Sequence, residues 1–251
     1  MGNQTRIKQN FGAKAANYRQ PTLHGNPIEL ARMIELLSPK PFENALDLAT
    51  GGGHTALALS PHVHSITAID ITHEMLEEAA DAAREKGCRN ISFQAADVHE
   101  LPFSAETFDI VACRFAVHHF ADPGRALREA CRVLRPGGRL YILDCSAPDG
   151  EAAENFANQI ERLRDSSHAW SASPRQWREY ADKLPLDLVQ LWPHSWHYPL
   201  PLWFDYIGTP PEQRLEILCL LDSMPAELRP LFPYGDDFLA AYRVEILANR
   251  I

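Results

Sequence analysis

No Cys-x-x-Cys pair occurs among the five cysteines (Cys88, Cys113, Cys131, Cys145 and Cys219), which are odd in number and widely scattered. That removes support for a zinc knuckle or a dithiol redox motif and leaves free thiols in a reducing compartment. The 11 histidines offer no His-x-x-x-His spacing either, so no metal is expected. Positive charge is also scarce. The 24 Lys and Arg face 33 Asp and Glu for a net charge of −9, and no basic run is present. Nucleic acid is therefore not an expected partner, since a phosphate backbone attracts concentrated cations. No apolar segment approaches the roughly 18 residues of a membrane span. The opening stretch "MGNQTRIKQNFGAK" lacks the apolar centre of a signal peptide, and Arg6 stands where myristoylation wants Ser or Thr. A soluble cytoplasmic protein is the expectation. There is no internal repeat and no low-complexity tract.

What is present is an ordinary globular composition, 45% hydrophobic and 23% charged over 251 residues. A chain of this length buries roughly three quarters of its unfolded surface without staples. Between Ala45 and Ser146, apolar runs alternate with helical patterns. "NALDLA" precedes a helix over 53–60, and "SITAID" an acid-rich helix over 72–86. "ISFQAAD" and "FDIVACRF" precede a helix over 122–134, and "RLYILDCS" follows it. Such alternation predicts an α/β fold with a parallel sheet covered on both faces. Asp122-Pro123 reads as an N-cap with proline in the first turn, and "RPGGR" as a helix-to-strand turn. Helices are expected at "FGAKAANY", "PIELARMIELLS", "GEAAENFANQIERLR", "SPRQWREYADKL" and "PEQRLEILCLL". Strands are expected at "LDLVQLWPHSWHYP" and "YRVEILANRI".

In an open parallel sheet, ligands bind beyond the carboxyl ends of the strands. The stretch "ALDLATGGGHTA" fits a strand, a tight glycine loop and a helix, and Gly51-x-Gly53-x-x-Ala56 satisfies the loose dinucleotide fingerprint. Asp70 closes the second strand, where a carboxylate can accept both ribose hydroxyl protons. To this point NAD and S-adenosylmethionine fit alike. Three features separate them. Asp47 would repel a pyrophosphate but favour a sulfonium. Asp97 is placed to accept from an exocyclic adenine amine. No Tyr-x-x-x-Lys pair follows the fifth strand, Tyr180 and Lys183 being one residue too close.

The runs "LDLATGGG", "AIDITHEML", "AADVHELPFSAETFDIV", "CRFAVHHF" and "RVLRPGGRLYILD" together resemble the successive motifs of class I S-adenosylmethionine-dependent methyltransferases. The resemblance is to the small-molecule branch that includes the ubiquinone/menaquinone C-methyltransferases. It covers residues 45 to 144, with "FGAKAANY" similar to that branch's N-terminal helix. The resemblance implies a Rossmann-like, doubly wound sheet of seven strands, mostly parallel, with the last strand antiparallel. "YRVEILANRI" would then lie between "RLYILDCS" and "LDLVQLW". It implies one methyltransferase domain over 1–251, with capping helices at 1–40, a cofactor core at 41–148, and a helical lid and final strands at 149–251.

Carried over by position, Asp47, Ala49, Gly51 and Gly53 match the loop around the methionine part. Asp70 matches the ribose acid, with Ile71 and Met75 beside the adenine and Asp97 and Val98 at its edge. Arg114 matches a strand-four contact, and Phe11 and Tyr18 the covering helix. Ala49 departs from the family's first glycine, which is tolerable if its φ is negative. His118 and His119 are the candidates for a catalytic base; in extended backbone only one of the two would face the substrate. His54 and His168 read first as local hydrogen-bonding residues, and His168, Trp196 and Trp203 are candidates to touch substrate. The aromatic cluster Trp192, Trp196, Trp203, Phe204 and Tyr206 fits either core or an aromatic pocket. The expected activity is methyl transfer to an O, N or C nucleophile of a small molecule. A non-methylating cyclase or decarboxylase on the same scaffold, or an NAD-dependent oxidoreductase, stand as alternatives. The expected partner is a small-molecule methyl acceptor, and a homodimer stays open.

Overall fold

The computed structural model describes residues 25–251; the expected helix at "FGAKAANY", with Phe11 and Tyr18, lies outside them. The first described helix is α1 (Pro27–Leu37), capped by the Asn26 side chain accepting from the Ile28 N–H. Strand β1 (Asn44–Leu48), helix α2 (His54–Leu59), strand β2 (Ser65–Asp70), helix α3 (His73–Glu85) and strand β3 (Ile91–Ala95) follow. Then come β4 (Phe108–Arg114), a 3₁₀ turn at Val117–His119, α4 (Pro123–Val133) and β5 (Leu134–Cys145). The remainder is α5 (Glu151–Arg164), α6 (Pro174–Ala181), β6 (Leu186–Pro199), α7 (Leu200–Ile207), α8 (Pro211–Asp222) and β7 (Phe238–Arg250).

The seven strands form one sheet in the order β3-β2-β1-β4-β5-β7-β6. β1 to β5 run parallel, and β7 lies antiparallel between β5 and β6. This is the expected topology. Central strands lack apolar–polar alternation because both faces are covered. Along β1 and β4, Leu46, Leu48, Val111 and Cys113 pack on one face with α4, while Ala45, Ile110 and Ala112 pack on the other with α1 and α2. Successive side chains thus feed two separate cores.

Local chemistry explains the helix starts. Asp122 accepts from the Arg125 N–H and Pro123 supplies the fixed φ of the first turn. At α6, Ser173 and Gln176 form a capping box. The "RPGGR" turn is a loop extruded within the β5 span, where the pairing with β4 jumps from Leu134 to Arg139.

Two parts differ from expectation. The last strand begins at Phe238, four residues ahead of "YRVEILANRI", and pairs with β6 as far as Pro199. That antiparallel ribbon continues past the β5–β7 pairing, which stops at Arg243. It also leads into α7, a helix with no sequence expectation, whose Leu200, Trp203 and Phe204 join α5 and α8 in a satellite core.

Candidate active site

The strand order reverses between β1 and β4, and a crevice of about 1480 Å³, open mouth included, lies there beyond the carboxyl ends. One half is built by the ends of β1, β2 and β3: Ala49, Gly51, Asp70, Ile71, Met75, Asp97 and Val98 line it, with Arg114 from β4. The other half is built by the 3₁₀ turn, α5, α7 and the β6–β7 ribbon. His118, His119, Phe115, Trp203, Tyr198 and Tyr242 line it.

The β1–α2 loop is shaped from behind. Asp47 does not line the cavity. Buried beneath the loop, its carboxylate accepts from Thr50 Oγ1 at 2.6 Å and from the Ala56 N–H at 3.1 Å. Burial outweighs those bonds and lifts its pKa to about 7. The expected contact with a sulfonium is thereby corrected: Asp47 ties the loop to the first turn of α2. Gly53 is also absent from the lining. Its φ is +82°, and an added Cβ would meet the Cβ of Ala79 at 3.0 Å, so it allows α2 to pack on α3. Gly51, at φ +52°, has open space where a Cβ would stand, facing the cavity. Ala49 carries a φ of +52°, not the negative value expected, and so pays for the family glycine it replaces.

Asp70 is buried and accepts from the Gly51 N–H and the Thr72 N–H, both at 2.9 Å. Burial raises its pKa against those two bonds. Asp97 lines the crevice and holds its turn by accepting from the His99 N–H at 2.9 Å and meeting His99 Nδ1 at 2.7 Å. Arg114 donates to Glu29 Oε2 at 3.0 Å, anchoring α1 to the end of β4.

The histidine pair departs from the extended geometry. Residues 117–119 form a 3₁₀ turn, so His118 and His119 lie with ring centroids 4.0 Å apart and both line the cavity. Their environments differ. His118 Nδ1 hydrogen-bonds to Asp144 Oδ1 at the end of β5. Burial pushes the His118 pKa down, but the charge and hydrogen bond of Asp144 prevail and it stands above the ordinary value. His119 Nδ1 meets the Ser167 carbonyl at 3.2 Å and the Ser167 hydroxyl at 3.3 Å. Burial and the neighbouring His118 charge drive its pKa down to about 4. His118 is the better base of the two.

Asp144 was given no role from sequence, yet it organises the turn. It is fully buried and also accepts from the N–H groups of Ala116, Val117 and Cys145. An acid at the end of a strand was the available signal, already applied to Asp70 and Asp97. Although His118, Asp144 and Cys145 place ligand atoms within 4.8 Å of one another, both Asp144 oxygens are committed to these donors.

His168 does not line the cavity. Its Nε2 meets Asn158 Oδ1 at 2.8 Å and its ring stacks 5.6 Å from His118, a supporting position behind the turn. Trp196 is also corrected: it is 37% exposed on edge strand β6, with the Arg243 guanidinium 4.8 Å from its ring. Trp203 is buried and lines the crevice, under Arg164 at 4.8 Å. Sequence reasoning missed Tyr198, Arg243 and Glu29. Arg243 is 2% exposed and donates to Tyr198 Oη and to Glu29 Oε1.

A methyltransferase-domain family profile matches residues 46–142. YcgJ of Bacillus subtilis, an uncharacterized methyltransferase, is 36% identical over 226 residues, covering 88% of each chain. The chain belongs to the class I S-adenosylmethionine-dependent methyltransferases. The solved structure of YcgJ superposes with a TM-score of 0.82 at 32% identity, covering 89% of this chain and 98% of that one. The ubiquinone/menaquinone C-methyltransferase UbiE of Bdellovibrio bacteriovorus is 31% identical over 162 residues, 61% of this chain and 68% of that protein. Among the described residues, no helix is long and apolar enough to cross a membrane.

Proposed function

We propose that this methyltransferase moves the methyl group of S-adenosylmethionine to an O, N or C nucleophile of a small molecule. One observation carries the reading: a single crevice is lined at one end by Gly51, Asp70 and Asp97, and at the other by His118 among aromatic side chains. The residues fit the donor. Gly51 leaves the backbone open to close approach, Asp70 is set to take ribose hydroxyls, Ile71, Met75 and Val98 offer apolar faces, and Asp97 stands at the adenine edge. When bound, the donor supplies an electrophilic methyl on a good leaving group.

The chain's own contribution is placement and a proton acceptor. Asp144 holds the His118 ring by Nδ1, which leaves Nε2 as the basic atom and stabilises the imidazolium once it forms. Such a base contributes roughly 10²–10⁴-fold, and placement of the two reactants the rest. His119, held neutral, packs beside it. The segment after 148 forms the acceptor wall. We read the acceptor as a metabolite-sized molecule in the cytoplasm rather than a nucleic acid, given the net charge of −9.

S-adenosylmethionine and S-adenosylhomocysteine are each expected to raise the melting temperature, by about 2.7 kcal/mol of stabilisation at a hundredfold excess over Kd. Asp70→Ala should abolish the shift relative to its own unliganded state. No shift with either ligand on the wild-type protein would sink the reading.

A further inference from the structure

Besides His118, the acceptor half of the crevice contains a polar group whose hydrogen bonding is fixed by its surroundings, Tyr198. Tyr198 is buried near the end of β6 and lines the cavity. Arg243, from the neighbouring strand β7, approaches its hydroxyl with two donors: Nε at 2.9 Å, and Nη2. A guanidinium can only donate, so both bonds fall on the phenolic oxygen and take up its accepting capacity. The hydroxyl proton must then point elsewhere. Among the described residues no acceptor is placed against it.

The geometry is rigid. Arg243 also donates to Glu29, and its guanidinium carbon lies 4.8 Å from the Phe115 ring centroid, 4.8 Å from that of Trp196 and 5.1 Å from that of Tyr198. A stacked, forked guanidinium keeps its orientation. Burial pushes the Tyr198 pKa up to about 12 although Arg243 opposes it, so the phenol keeps its proton at neutral pH. The cavity beside it is walled by Phe115, Trp203, Tyr206 and Tyr242, aromatic surfaces of the kind that receive flat rings.

We propose that Tyr198 selects the methyl acceptor by donating its hydroxyl to an oxygen on a planar ring compound, a carbonyl or a phenolate, with Arg243 as the residue that fixes the direction of that bond. The proposal rests on the reading of the crevice as a methyl-transfer site. It adds the polarity of the recognition and the class of molecule recognised. A purely structural Tyr–Arg pair would have no preference for oxygen in the cavity.

The probes are 1-tetralone and tetralin, which share a fused-ring skeleton and differ by one carbonyl oxygen. Both are titrated by calorimetry into the full chain, with and without saturating S-adenosylhomocysteine. A donor left without an acceptor disfavours tetralin, so the wild-type protein should bind 1-tetralone about tenfold more tightly. Tyr198→Phe should bring the ratio near one while still binding the nucleoside. Arg243→Lys, which replaces the fork by a single point donor, should lower the ratio several-fold. Equal affinity for the two probes, no binding of 1-tetralone, or a ratio unchanged in Tyr198→Phe would each overturn the proposal. Failure of wild-type protein to bind S-adenosylhomocysteine would instead strike the methyl-transfer reading, and the probe ratio without nucleoside would still decide this one.

Discussion

At the scale of single residues, two adjacent histidines carry opposite electrostatics because their second partners differ. His118 faces a buried carboxylate, whereas His119 faces a backbone carbonyl and a hydroxyl. This has a consequence for stability. Burial and the charge on His118 hold the folded His119 at about 4, below its ordinary 6.5. Between those values the unfolded chain accepts a proton that the folded chain refuses. The stability tied to His119 is therefore whole above about pH 6.5 and is lost as pH falls through about 4. Over that interval the wild-type protein should lose on the order of 2–3 kcal/mol more than His119→Gln. Urea midpoints at several pH values read the difference, and parallel curves would refute the assignment. None of this was visible in "VHH". Sequence marks the pair as chemically capable, but a 3₁₀ turn, not an extended chain, decides that both rings face one cavity.

At the scale of elements, the strands and the helices α1 to α6 and α8 were legible because caps and apolar runs agree. The acid at a strand end marked two residues that line the crevice, Asp70 and Asp97, and the same signal was present at Asp144. Three things were not legible. α7 hides in a stretch of proline and aromatic residues that reads equally well as loop. The reach of β7 back to Phe238 depends on a partner, β6, distant in sequence. The conformation at Ala49 depends on how β1 is fastened to β2, where the Thr50 N–H donates to the Ile69 carbonyl and the Gly51 N–H to Asp70. That fastening holds alanine at φ +52°, where an L-residue costs about 1–2 kcal/mol. Ala49→Gly should therefore stabilise the folded protein by roughly 0.5–1 kcal/mol, after the added freedom of the unfolded glycine is subtracted. Thermal unfolding of the two proteins tests it. A lower melting temperature in the variant would mean that the loop has adapted to the methyl group.

At the scale of the molecule, the part of the chain that carries the strand-end motifs and the part after residue 148 meet in one crevice. The donor half follows from a pattern of strand ends that sequence displays in order. The acceptor half is assembled from α5, α7 and the β6–β7 ribbon, whose contacts link residues far apart in the chain, such as Tyr198 with Arg243 and Arg243 with Glu29. Glu29 also receives Arg114 from the donor half. A single carboxylate thus bridges one guanidinium on each side of the crevice. Ligand occupancy at either side can then bias the other, and the bias must be reciprocal. S-adenosylhomocysteine should bind about fivefold more tightly when 1-tetralone is present, and 1-tetralone more tightly by the same factor when the nucleoside is present. In Glu29→Gln both factors should approach one, even where each ligand alone still binds. Equal factors in wild type and variant would refute the link. The expected consequence is that helix α1, through Glu29, lets the filled ternary complex gain population at the expense of either half-filled state.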